Sequence, residues 1–123
     1  MPCHRNYDTV AFDVRDDATM LFFARTTPSG DIDDYLLLMR AEASELGPTV
    51  YIEMNERQFA GHNLVAEARM AGNVLTLELH EAAPELEGAK QLVLSYKDTP
   101  ENKASVEAGA FRVLGDRLAG GNA

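Results

Sequence analysis

Between Asp8 and Lys97 the apolar residues of this chain recur mostly at every second position, in short runs separated by Gly, Pro, Asn and Asp. Only after Thr99 does the spacing become helical. A period of two places successive side chains on opposite faces of a strand, so each run predicts a half-buried strand rather than a helix. Val10, Phe12 and Val14 share one face, and Ala11, Asp13 and Arg15 the other. Asp16-Asp17 reads as a tight turn into a second strand, Thr19 to Arg25, which makes a hairpin of the pair.

The run Tyr35-Leu36-Leu37-Leu38-Met39 carries no deciding period, and residues 34–44 stay open between strand and helix. Bracketing by Asp33-Asp34 and Gly47-Pro48 favours a strand over 34–41. Thr49 to Asn55 alternates clearly, with Val50, Ile52 and Met54 opposed to Tyr51, Glu53 and Asn55. A polar loop is expected from Arg57 to Asn63. In the next run Leu64, Ala66, Ala68 and Met70 oppose Val65, Glu67 and Arg69, and a Gly72-Asn73 turn leads into Val74 to His80. Glu81 to Lys90 reads as a polar connection, and Gln91 to Lys97 as a last strand. Thr99-Pro100-Glu101 then supplies a cap, a proline at the first helical position and an acid in the first turn. Val106, Ala110, Val113, Leu114 and Leu118 form an apolar stripe at helical spacing. The expected fold class is α+β: a single antiparallel meandering sheet of six to seven strands with the C-terminal helix packed on one face. The 123 residues read as one domain, 1–123, with loose termini at 1–7 and 120–123.

With 20 acidic and 11 basic residues the formal charge is −9. That balance argues against nucleic acid, whose phosphates are held by Lys and Arg, and against an anionic membrane surface. It suits a basic protein partner, and equally serves solubility alone. The only cysteine, Cys3, permits no intrachain disulfide. The first twenty residues lack an apolar signal core, and the longest apolar run, Tyr35 to Met39, is far below the ~20 residues that cross a bilayer. A cytoplasmic protein is the expectation.

Signatures of chemistry are sparse. Neither glycine-rich phosphate motif nor a Gly-x-Ser-x-Gly elbow is present. His4, His62 and His80 have no metal-ligand spacing. Asp31-Ile32-Asp33-Asp34 lacks the glycine and glutamate of a calcium loop and reads as a solvated acidic turn. No cofactor, metal or catalytic residue is assigned. What remains is a surface: Tyr51, Glu53, Asn55, Glu56, Glu67 and Glu78 all fall on, or beside, faces turned away from the inward Ile and Leu residues. Tyrosine is frequent at interface hot spots, and carboxylates complement basic sites.

Asp34-Tyr35-Leu36-Leu37-Leu38-Met39-Arg40, then Tyr51-Ile52-Glu53-Met54-Asn55, then Asn73-Val74-Leu75-Thr76-Leu77-Glu78-Leu79 resemble, in that order, segments of the immunity protein 10 family. The Val93 to Lys97 strand and a helix ending near Val113-Leu114 extend the resemblance from about Val10 to Leu118. It implies a non-catalytic bacterial protein that binds and neutralises a cognate toxin domain. The loop Glu56 to His62 departs from the family pattern at Phe59 and Ala60. The leading expectation is therefore occlusion of a basic toxin site by Glu53, Glu56, Glu67 and Glu78, with Tyr51 as anchor. Two alternatives stand beside it: a small acidic secretion chaperone, and a small enzyme using His62 or His80 with a Glu such as Glu53 or Glu78. A homodimer is left open.

Overall fold

The computed structural model describes residues 2–15, 18–41, 49–55 and 58–118. Among these residues, nine strands and one α-helix follow in order: β1 Cys3–Tyr7, β2 Thr9–Arg15, β3 Ala18–Thr26, β4 Ile32–Ala41, β5 Thr49–Met54, β6 Phe59–His62, β7 Val65–Ala71, β8 Val74–Ala83, β9 Ala89–Tyr96 and α1 Pro100–Leu114. The α+β class and the terminal helix hold, but the strands divide between two sheets rather than forming one. A five-stranded sheet runs β2-β3-β4-β5-β6, and a four-stranded sheet runs β1-β9-β8-β7.

The chain changes sheet twice, and each switch carries a polar residue that ties it down. At Asp8, between β1 and β2, the carboxylate accepts from the Thr26 amide at 2.8 Å and the Thr9 hydroxyl at 2.7 Å. The amide first and then the hydroxyl hold the Asp8 carboxyl below the ordinary aspartate range. At Asn63, between β6 and β7, the backbone turns to φ 57° and its N–H donates to the Val50 carbonyl at 2.7 Å.

Alternation sorts the side chains as expected for a two-layer core. Leu21, Phe23, Leu36, Leu38, Ile52 and Met54 of the five-stranded sheet are fully buried, as are Leu75, Leu77, Leu92 and Leu94 of the other. Burying each such side chain stabilises the fold by about 1.5–3 kcal/mol. Phe23 lies 5.7 Å from the Tyr7 ring and 6.2 Å from Tyr96, joining the layers. The helix packs on the same inner face, over β2 and β3, through Val106, Ala110, Val113 and Leu114.

Gly109 permits this docking. A Cβ there would lie 2.7 Å from Leu21 Cδ1 and 3.0 Å from Phe12 Cδ1, and Leu21 is wholly enclosed. In an open helix Gly109→Ala would gain about 1 kcal/mol. Here overpacking, costing about 1–3 kcal/mol, opposes that gain. The expected outcome is a net loss of about 1 kcal/mol in urea unfolding; a net gain would show that Leu21 can move aside.

Several readings of the sequence are corrected. Residues 1–7 are not a loose arm, because Cys3 to Tyr7 pair in parallel with Leu92 to Tyr96. The loop expected from Arg57 to Asn63 contains β6, antiparallel to β5. The polar connection expected at 81–90 is narrower, since β8 runs to Ala83 and a 3-10 turn, Pro84–Leu86, leads to β9 at Ala89. The register shifts between Val65 and Glu67, so Val65 and Ala68 are buried and Ala66 is exposed. Asp34 is no solvated turn residue: it is buried in β4 and ion-paired at 3.8 Å with Arg5 and with Arg25. Burial first, then the Asp34 carboxylate, push the neighbouring Tyr7 phenol above its ordinary range. The strand reading of 34–41 holds, within β4. The Asp16-Asp17 turn, residues 42–48, Glu56 and the tail at 120–123 lie outside the described residues.

Candidate functional site: the outer face of the five-stranded sheet

The helix and the four-stranded sheet both lie on one side of the five-stranded sheet, so its other side faces outward. Strand register arranges that face in rows. Ala11, Phe22, Leu37, Glu53 and Ala60 stand side by side across five strands. Asp13, Met20, Met39, Tyr51 and His62 form the next row. Met20, Phe22, Tyr35, Leu37, Met39 and Tyr51 are half-buried. Large apolar side chains thus occupy the centre of an outward face, with charged and polar residues toward the rim.

Glu53 stands on β5, next to Leu37 of the central strand. The Tyr35 hydroxyl donates to its Oε2 at 2.5 Å and the Tyr51 hydroxyl to its Oε1 at 2.7 Å. Tyr35 stacks on Phe22 at 5.6 Å between ring centroids, and Tyr51 packs on the His62 ring at 5.0 Å. The two phenols fix the carboxylate in place.

The six residues singled out in the sequence do not share one surface. Tyr51 and Glu53 lie together on this face. Asn55 follows them at φ 44°, but its Oδ1 accepts from the Tyr35 backbone N–H at 2.8 Å, which gives it a role in holding β4 to β5. Glu56 lies outside the described residues. Glu67 and Glu78 pair with each other across β7 and β8 on the other sheet. There Glu78 accepts from Gln91 at 2.5 Å and meets Arg69 at 3.2 Å. The set Glu53, Glu78 and His80 is likewise divided, with Glu53 on one sheet and the other two on β8 of the second. Among the described residues no three His, Cys, Asp or Glu side chains gather as a metal would require, and no helix is long and apolar enough to cross a membrane.

Sequence reasoning missed Tyr35, Phe22 and Leu37 as parts of this surface. The signal was the unbroken apolar run in each of β3 and β4. A strand that is apolar on both faces has a second face to cover, whereas a solvated one alternates. No protein-family model and no curated protein matches this chain.

Proposed function

We propose that this protein is a cytoplasmic immunity protein, which binds a cognate bacterial toxin domain and blocks it by occupying its surface, without catalysis. The observation that carries the reading is Glu53, held by Tyr35 and Tyr51 beside the apolar centre of the outward face. A carboxylate already fixed by two phenols loses little freedom on binding, so more of its attraction to Lys or Arg is retained as affinity. The surrounding Phe22, Leu37 and Met39 would be covered by the partner, and tyrosines are frequent binding anchors. The formal charge of −9 favours rapid encounter with a basic domain. The resemblance of the β4, β5 and β8 segments to the immunity protein 10 family adds the partner class.

The test is co-expression with a toxin domain, sought first in the neighbouring reading frame. Immunity predicts that cells survive when both are made and die when the toxin is made alone. Solubility or export of the neighbour without survival would favour the secretion-chaperone reading and overturn this one.

A further inference from the structure

The two sheets have four edge strands, and three are guarded. The free side of β7 is met by Leu118, bridged in parallel to Ala68, and by Arg117, whose Nε donates to the Val65 carbonyl at 3.1 Å. β2 carries Asp13 and Arg15, and β1 carries Arg5. Charged side chains on an edge oppose the addition of another strand. β6, with the sequence Phe59-Ala60-Gly61-His62, has neither a Lys or Arg nor a proline.

Register shows which of its backbone groups point outward. Asn63 N–H donates to the Val50 carbonyl, so that pair is hydrogen-bonded. Bonded and non-bonded pairs alternate along an antiparallel ladder. Gly61 opposite Ile52 and Phe59 opposite Met54 therefore face β5 as bonded pairs. The N–H and C=O groups of Ala60 and His62 then point to the side on which no strand pairs among the described residues. That side borders a cleft of about 430 Å³. Phe59, Leu64 and Leu79 line it together with the exposed carboxylates of Glu81 and Glu85. Neither carboxylate has a salt bridge among the described residues.

We propose that the open edge of β6 and the adjoining cleft bind an extended, basic segment of a polypeptide partner by strand addition. Ala60 and His62 supply two donors and two acceptors in the spacing of a sheet ladder. Alternate side chains of the added segment enter the apolar floor, and lysine or arginine side chains meet Glu81 and Glu85. The added strand would also widen the outward face on which Glu53 lies, since Ala60 and His62 belong to its rows. The inference deepens the toxin-binding reading and rests on it for the partner's identity.

The probe is a blocked heptapeptide alternating lysine and valine, titrated into the isotope-labelled full chain, with its glutamate counterpart as control. Expected are amide shifts centred on Ala60 and His62, at least tenfold slower exchange of those two amides, and no binding of the glutamate peptide. Ala60→Pro removes an outward donor and leaves the β5 ladder intact, because proline is tolerated where the N–H faces away from a partner strand. It should weaken the peptide at least tenfold. Should that variant lose its native spectrum, Glu81→Lys with Glu85→Lys serves instead and should weaken binding equally. Shifts confined to residues away from β6, equal binding of both peptides, or full affinity in the folded variants would each overturn strand addition. Co-expression separates the two readings. Full protection by a folded Ala60→Pro chain that no longer binds the peptide removes β6 from toxin binding and leaves immunity standing. Strand addition without any protection by the wild type removes immunity alone.

Discussion

Replacing Asn102 by alanine is expected to destabilise the protein by about 3 kcal/mol. Asn102 is 6% exposed, one turn into α1. Its Oδ1 accepts from the Val10 N–H at 3.0 Å, and its Nδ2 donates to the carbonyls of Asp8 and Lys97, each at 3.0 Å. One amide therefore satisfies three backbone groups and joins the start of β2, the end of β9 and the helix. Alanine would remove all three bonds and leave their backbone partners poorly paired, at about 1 kcal/mol or more each. The neighbouring cap, Thr99 Oγ1 accepting from the Asn102 N–H at 3.1 Å, is a single bond, and its removal should cost only about 1 kcal/mol. Urea unfolding of both variants measures the difference as a lower midpoint at unchanged slope. Asn102→Asp tests the donors separately: its carboxylate keeps the Val10 bond but turns acceptors toward two carbonyls, so its loss should at least equal that of alanine. A loss below about 1 kcal/mol for Asn102→Ala would show that water replaces the amide at little cost.

The hairpins β2–β3 and β7–β8, the strand β5 and the capped helix were legible because each is settled by neighbours in sequence. A period of two names the buried face, and a Gly-Asn turn joins adjacent strands. Alternation does not say which strands share a sheet. The division into two sheets depends on contacts such as Cys3 opposite Leu92, far apart in sequence. β1 was hidden by its composition, since only Cys3 and Tyr7 mark its inward face apart from Arg5, which reaches Asp34. Phe59-Ala60-Gly61-His62 looked like a loop because Ala60 and Gly61 are poor strand formers, yet Gly61 is set against Leu64, with a Cβ there only 2.7 Å from Leu64 Cδ1. The register shift near Ala66 was also invisible: a bulge inverts the pattern after one residue without changing its period.

Much the same holds for the candidate site. Tyr51 and Glu53 could be placed on one outward face from β5 alone, and they are. Joining them to Glu67 and Glu78 needed a single sheet, and the two-sheet fold separates the pairs. Tyr35 was placed in a strand, but its bond to Glu53 depends on the β4–β5 register, in which Leu37 stands opposite Glu53.

That separation makes the contact surface testable by charge. Tyr51→Ala with Glu53→Lys should weaken binding of the proposed toxin partner at least 100-fold, about 2.8 kcal/mol at 1.4 kcal/mol per tenfold. The anchor is lost, and a cation replaces the carboxylate that would face the partner's Lys or Arg. Glu67→Lys with Glu78→Lys should change binding by less than about threefold, although it shifts the formal charge twice as far. Long-range attraction responds to net charge through the association rate and fades with salt. Direct contact responds to position, through the dissociation rate. If net charge governed binding, the Glu67 and Glu78 pair would be the more damaging, mainly by slowing association at low salt. If the outward face of the five-stranded sheet is the contact, the Tyr51 and Glu53 pair is the more damaging, by speeding dissociation at any salt. Surface plasmon resonance at two salt concentrations separates these outcomes. Unchanged binding by the Tyr51 and Glu53 variant, with its native circular dichroism retained, would remove this face from the interface.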